Sequence, residues 1–138
     1  MKKIFIVFFT FFSQTAFADV FIDINKHRQT MSVYENGQLM DVWPVSTARK
    51  GYSTPTGTFY PYSMQLMHYS KKYDNAPMPH SIFFSGGYAI HATPHVGNLG
   101  RPASHGCVRL SPYNASILYE VVKNNRNNTT IRINWKGN

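Results

Sequence analysis

The chain has 138 residues, with 14 Lys and Arg against 6 Asp and Glu and a formal net charge of +8. That length excludes a multidomain assembly and suits one domain with a real hydrophobic core. A single cysteine excludes a disulfide scaffold, and basic residues scattered along the chain argue against nucleic acid as a partner.

The N-terminal segment reads as a secretion signal. Lys2 and Lys3 precede an apolar run over 4–12, and Ala16-Phe17-Ala18 forms a small-x-small cleavage site. The run stops at Ser13-Gln14, short of the roughly 18 to 20 apolar residues that span a bilayer. Residues 1–18 are therefore expected to be removed, leaving an exported domain over 19–138 without stable membrane insertion. No cysteine follows the cleavage site, so lipid attachment is not expected there.

Along the mature chain, β-forming stretches over 20–24, 30–34 and 38–45 predict a meander, with Asn36-Gly37 as a tight hairpin turn. Residues 46–57 are turn-rich, and 59–62 resume an extended run. Residues 68–79, with Lys71-Lys72, Asp74-Asn75, Pro77 and Pro79, read as a loop and a candidate substrate lid. Two strands over 81–84 and 88–91 flank Gly86-Gly87. Pro94, Gly97, Gly100 and Pro102 exclude a regular element between His91 and Ser104. Ser111 and Pro112 predict the start of a helix that runs to about Asn124, with Ile117, Leu118, Val121 and Val122 on one face. A last strand covers 129–134. The residues thus predict a mainly β domain with one C-terminal helix.

Chemistry concentrates in Ile90-His91-Ala92-Thr93 and in residues 100–110, which include Ser104-His105-Gly106-Cys107-Val108-Arg109. A lone thiol in an exported protein is either buried and inert or a nucleophile. A nucleophilic thiol needs a base or cation beside it, and His91 and His105 are both available. On that basis Cys107 is expected to react with iodoacetamide below the pH of an isolated thiol. Glycine at 106 removes a side chain where a substrate carbonyl must approach, and amides in a tight turn can stabilise an oxyanion. A metal site built from His91, His95, His105 and Cys107 is the rival reading; Thr93-Pro94 disfavours a helical His pair, and no nearby Glu supplies a base.

These residues resemble the YkuD-type L,D-transpeptidases, whose motif is a strand-end histidine, a loop and then Ser/Thr-His-Gly-Cys. Twelve residues separate His91 from Ser104. The segments Pro44-Val45-Ser46-Thr47 and Thr54-Pro55-Thr56-Gly57-Thr58-Phe59 extend the likeness over the mature chain. Ala48 and Ala92 stand where the family commonly has glycine.

The resemblance implies a β-sandwich of mixed sheets with one C-terminal helix and no cofactor or metal. It makes Cys107 the nucleophile and His91 its base. It makes His105, Gly106 and Cys107 the oxyanion turn, with Ser104 shaping it and Arg109 either structural or a carboxylate ligand. The implied substrate is the peptidoglycan peptide stem, with a stem amine or an envelope protein as acceptor, in the periplasm or the cell wall. Water as acceptor would make the enzyme an L,D-carboxypeptidase. A non-catalytic basic wall-binding module is the third reading.

Overall fold

The computed structural model describes residues 2–7 and 18–136; Met1, residues 8–17 and residues 137–138 lie outside it, and with them most of the expected signal segment. Among the described residues no helix is long and apolar enough to cross a membrane.

Local signals build the first sheet. Strands β1 (Val20–Asn25) and β2 (Thr30–Glu35) pair antiparallel, and β2 turns into β3 (Gln38–Pro44) through Asn36 and Gly37. Their φ angles of 50° and 79° lie in the left-handed region, which Asn and Gly tolerate and which a two-residue hairpin requires. The C-terminal strand β9 (Thr129–Asn134) runs parallel to β1, setting Ile131 and Ile133 opposite Ile22 and Ile24. β4 (Gly57–Phe59) adds antiparallel to β9, so the order is β3-β2-β1-β9-β4.

The second sheet has the order β5-β6-β7-β8, formed by β5 (Ser63–Ser70), β6 (Ala76–Ser85), β7 (Tyr88–Ala92) and β8 (Val108–Leu110). Its pairs are antiparallel except β7 with β8. Both sheets are thus mixed, as expected. Helix α1 (Pro112–Asn124) begins where Ser111 Oγ accepts the Asn114 amide and Pro112 occupies the first turn. One apolar core joins Ile22, Ile24 and Ile131 of the first sheet to Ile82, Ile90 and Leu110 of the second, and to Leu118 and Val122 of α1. Each such side chain contributes about 1.5–3 kcal/mol by leaving water.

Four expectations change, one of them the exclusion of a regular element between His91 and Ser104, where Val96–Asn98 form a single 3-10 turn. Residues 68–79 are not a loop: β5 and β6 form a hairpin whose tip is 71–75, with Tyr69 opposite Pro77 and Met67 opposite Pro79. The prolines are tolerated because β7 pairs with β6 only from Ile82 onward, so no strand there needs the missing amides. β5 was obscured because it is an edge strand whose side chains mostly face water, leaving no apolar alternation. The extended run over 59–62 divides instead, with β4 ending at Phe59 and β5 starting at Ser63. In α1 the buried stripe is Ala115, Leu118, Tyr119 and Val122, while Ile117 and Val121 are only partly covered.

Candidate active site

The β7–β8 ladder sets the geometry of the candidate residues. Its register pairs Ile90 with Val108, His91 with Arg109 and Ala92 with Leu110. Because side chains alternate across a strand, Ile90, Ala92, Val108 and Leu110 enter the main core. Ala89, His91, Cys107 and Arg109 therefore share the opposite face. There Cys107 packs on a small apolar cluster of Met78, Phe83 and Ala89.

His91 is 7% exposed, and its Nδ1 lies 2.8 Å from the Ala92 carbonyl oxygen. A carbonyl can only accept, so this contact requires the proton on Nδ1 and leaves Nε2 with the lone pair. Burial pulls the His91 pKa down to about 4, against the stabilising backbone hydrogen bond, with Arg109 and His68 adding repulsion. The imidazole is consequently neutral near pH 7.

Cys107 is half-buried, and its Sγ makes a long 3.9 Å contact with the Gly87 carbonyl oxygen. Burial pushes its pKa above the ordinary thiol value; the Ala89 backbone hydrogen bond and Arg109 offset this only partly. This corrects the expectation of a readily ionised thiol. The resting pair is a neutral thiol and a neutral imidazole.

Distant segments hold the turn that carries Cys107. The Thr47 carbonyl accepts the Ala103 and Ser104 amides, each at 3.0 Å, and the Ser104 carbonyl accepts the Arg49 amide at 2.9 Å. Ser104 is fully buried; its Oγ donates to the Cys107 carbonyl at 2.6 Å and accepts the Gly106 amide at 3.0 Å. The Gly106 amide is thus engaged within the turn. Among the described residues no acceptor takes the Cys107 or His105 amide. Gly106 has φ 140°, and a Cβ there would fall 2.5 Å from Cε1 of Tyr88 and 3.0 Å from the Ser53 carbonyl oxygen. Its missing side chain makes room for the protein's own Tyr88 and Ser53.

Residues far outside the motif also support the turn. Gln29 donates to Thr47 Oγ1 at 2.7 Å and accepts the Thr47 amide at 2.8 Å. Lys26, 6% exposed, donates to the Thr54 carbonyl at 2.6 Å. Gln29 has φ 55°, unusual for a residue with a side chain, but nothing in the sequence marks its partners.

The hairpin tip reaches this turn. The Tyr73 ring stacks on His105 with centroids 4.2 Å apart, and Tyr52 covers it at 4.7 Å. Lys72 lies over Tyr73 and Arg49 over Tyr52, at 5.5 and 5.0 Å. Burial, Arg49, Arg109 and Lys72 hold His105 below the ordinary histidine range. Arg109 is half-buried, with a long 3.4 Å hydrogen bond to the Ala103 carbonyl.

Among the described residues no three His, Cys, Asp or Glu side chains form a metal-ligand group, and His95 sits exposed in the loop before 96–98. A depression of about 490 Å³ lies on the outer face of the first sheet between Asn25, Ser32 and Trp135. None of its lining residues belongs to the cysteine turn.

Two mixed sheets, with a histidine on β7 and a cysteine in the turn that enters the parallel neighbour β8, define the class of domain. The family model of the L,D-transpeptidase catalytic domain, YkuD, matches residues 19–133, and the chain belongs to that family. Among solved structures it is similar to an L,D-transpeptidase from Stackebrandtia nassauensis, at 28% identity and TM-score 0.74 over 88% of this chain and 58% of that one. An L,D-transpeptidase from Mycobacterium smegmatis matches at 24% identity and TM-score 0.77, over 85% and 59% of the two chains. L,D-transpeptidase 3 from Mycobacterium tuberculosis, in complex with a faropenem-derived adduct, matches at 21% identity and TM-score 0.73, over 84% and 60%. The chain thus spans about three-fifths of these neighbours. A search of curated proteins found no match.

Proposed function

We propose that the chain is an exported L,D-transpeptidase that acts on peptidoglycan peptide stems, with Cys107 as nucleophile and His91 as base. The observation that carries this reading is the β7–β8 register, with both side chains on one face and His91 Nδ1 engaged by the Ala92 carbonyl. His91 Nε2 takes the thiol proton as Sγ attacks the carbonyl between the third stem residue and the terminal D-Ala. The carbonyl π pair moves to oxygen, where the turn amides can meet it. Collapse reforms C=O and breaks the C–N bond; the departing D-Ala amine takes the proton from His91, leaving a thioester. An acceptor amine then attacks the thioester, its proton passes through His91, and the thiol is restored.

The Arg109 guanidinium is suited to a substrate carboxylate. Residues 1–18 serve as the signal peptide in this reading; β1 starts at Val20 and the family match at residue 19, in keeping with a mature chain from Asp19. Carbapenems are expected to acylate Cys107, and so is faropenem, which forms an adduct with the similar L,D-transpeptidase 3.

Rapid quench of purified mature protein with a tetrapeptide stem tests the proposal. Intact mass should show a tripeptide adduct on Cys107 with D-Ala released, and Cys107→Ala should show neither. Product that stays wholly hydrolysed at every amine concentration would instead assign an L,D-carboxypeptidase. Equal wall binding by wild type and Cys107→Ala, with no stem processed, would assign a binding module.

A further inference from the structure

We propose that Thr54 is a positioning residue that aims the Cys107 backbone amide at the oxyanion formed during acyl transfer. The inference rests on the reading of Cys107 as an acyl-transfer nucleophile.

The Gly106 carbonyl and the Cys107 N–H are the two ends of one planar trans peptide unit, so holding one fixes the direction of the other. Thr54 Oγ1 donates to the Gly106 carbonyl at 2.8 Å and accepts the Ala48 amide at 2.9 Å. A hydroxyl has one proton; with the Ala48 amide occupying a lone pair, that proton is committed to Gly106. Thr54 is 1% exposed, so water does not compete for the bond, and its own carbonyl is tied to Lys26 Nζ at 2.6 Å. Ser104 anchors the neighbouring polar groups by accepting the Gly106 N–H and donating to the Cys107 carbonyl. The Cys107 N–H, which finds no acceptor among the described residues, is therefore oriented without being consumed. A hydrogen bond at the carbonyl end also polarises the amide and makes its N–H a stronger donor. When Sγ attacks and the carbonyl π pair moves to oxygen, this amide is the donor attached to the nucleophile itself.

Two reactions at the same thiol separate this role from general support of the turn. Alkylation by iodoacetamide expels iodide and builds no oxyanion, whereas acylation by a tetrapeptide stem or faropenem does. Thr54→Val and Thr54→Ala should lower the acylation rate by about 100-fold, in kcat rather than KM, while alkylation stays within about twofold of wild type. Thr54→Ser keeps the hydroxyl and should acylate within about threefold of wild type. Thermal unfolding identifies which variants are folded. Unchanged acylation in Thr54→Val or Thr54→Ala, a parallel fall in alkylation and acylation, or a folded Thr54→Ser that alkylates but does not acylate would each overturn the assignment. A wild type that alkylates yet accepts no acyl group from either probe would remove the acyl-transfer reading itself, and this proposal with it.

Discussion

A Cβ on Gly106 would stand 2.5 Å from Cε1 of Tyr88. The Tyr88 ring is partly exposed and could swing aside, but the Ser53 carbonyl oxygen at 3.0 Å is main chain, and φ of 140° disfavours any side chain. Gly106→Ala should therefore destabilise the domain by about 1–3 kcal/mol and slow acylation of Cys107. Tyr88→Ala in the same chain should restore only part of either loss. Thermal unfolding and rapid-quench acylation of the single and double variants check this.

The neutral resting pair changes what alkylation should report. Burial holds the Cys107 thiol up, so its iodoacetamide rate should climb only at or above the pH of an ordinary thiol. In the proposed mechanism the proton leaves during attack, so acylation near pH 7 should show a solvent deuterium isotope effect that His91→Ala abolishes along with most of the rate. A pH–rate profile of alkylation rising below the ordinary thiol range would show a preformed ion pair instead.

His91 also couples stability to acid. Its folded pKa of about 4 lies below the ordinary histidine value of 6.5, so the unfolded chain binds the proton more tightly. Stability from this group is fully present above pH 6.5 and is lost as pH falls toward 4, by up to about 3 kcal/mol. Denaturant melts between pH 7 and 4 should show this loss, and His91→Gln should flatten it. Activity should fall over the acid limb near the same folded pKa, because protonated Nε2 cannot accept the thiol proton.

Tyr73 stacks on His105 from the tip of the β5–β6 hairpin, which places an aromatic cover two residues from Cys107. Tyr73→Ala should leave global stability nearly unchanged, within about 0.5 kcal/mol, because the tip is outside the main core. It should raise the share of acyl-enzyme lost to water at a fixed amine concentration. The ratio of hydrolysed to transferred product measures this, and an unchanged ratio would remove the hairpin from the control of water access.

By itself the sequence determined what short-range chemistry encodes. Asn36-Gly37 specifies a hairpin, Ser111-Pro112 starts a helix, Ile131 and Ile133 mark a half-buried strand, and His91 with residues 104–107 names the candidate site. Each rests on a backbone preference or a spacing of a few residues. Tertiary structure decided what depends on segments far apart in the chain. Thr54 reaches Gly106 across 52 positions, and Gln29 reaches Thr47 across 18, through side chains whose partners leave no periodic trace. The β5 strand leaves no clear trace in the sequence because its side chains mostly face water and β6 carries two prolines, yet pairing with an unobstructed edge still forms a ladder. Protonation was beyond the sequence for the same reason. His and Cys have fixed intrinsic affinities for a proton, but whether His91 is neutral and Cys107 a thiol is set by desolvation, which exists only once β7 and β8 are packed together.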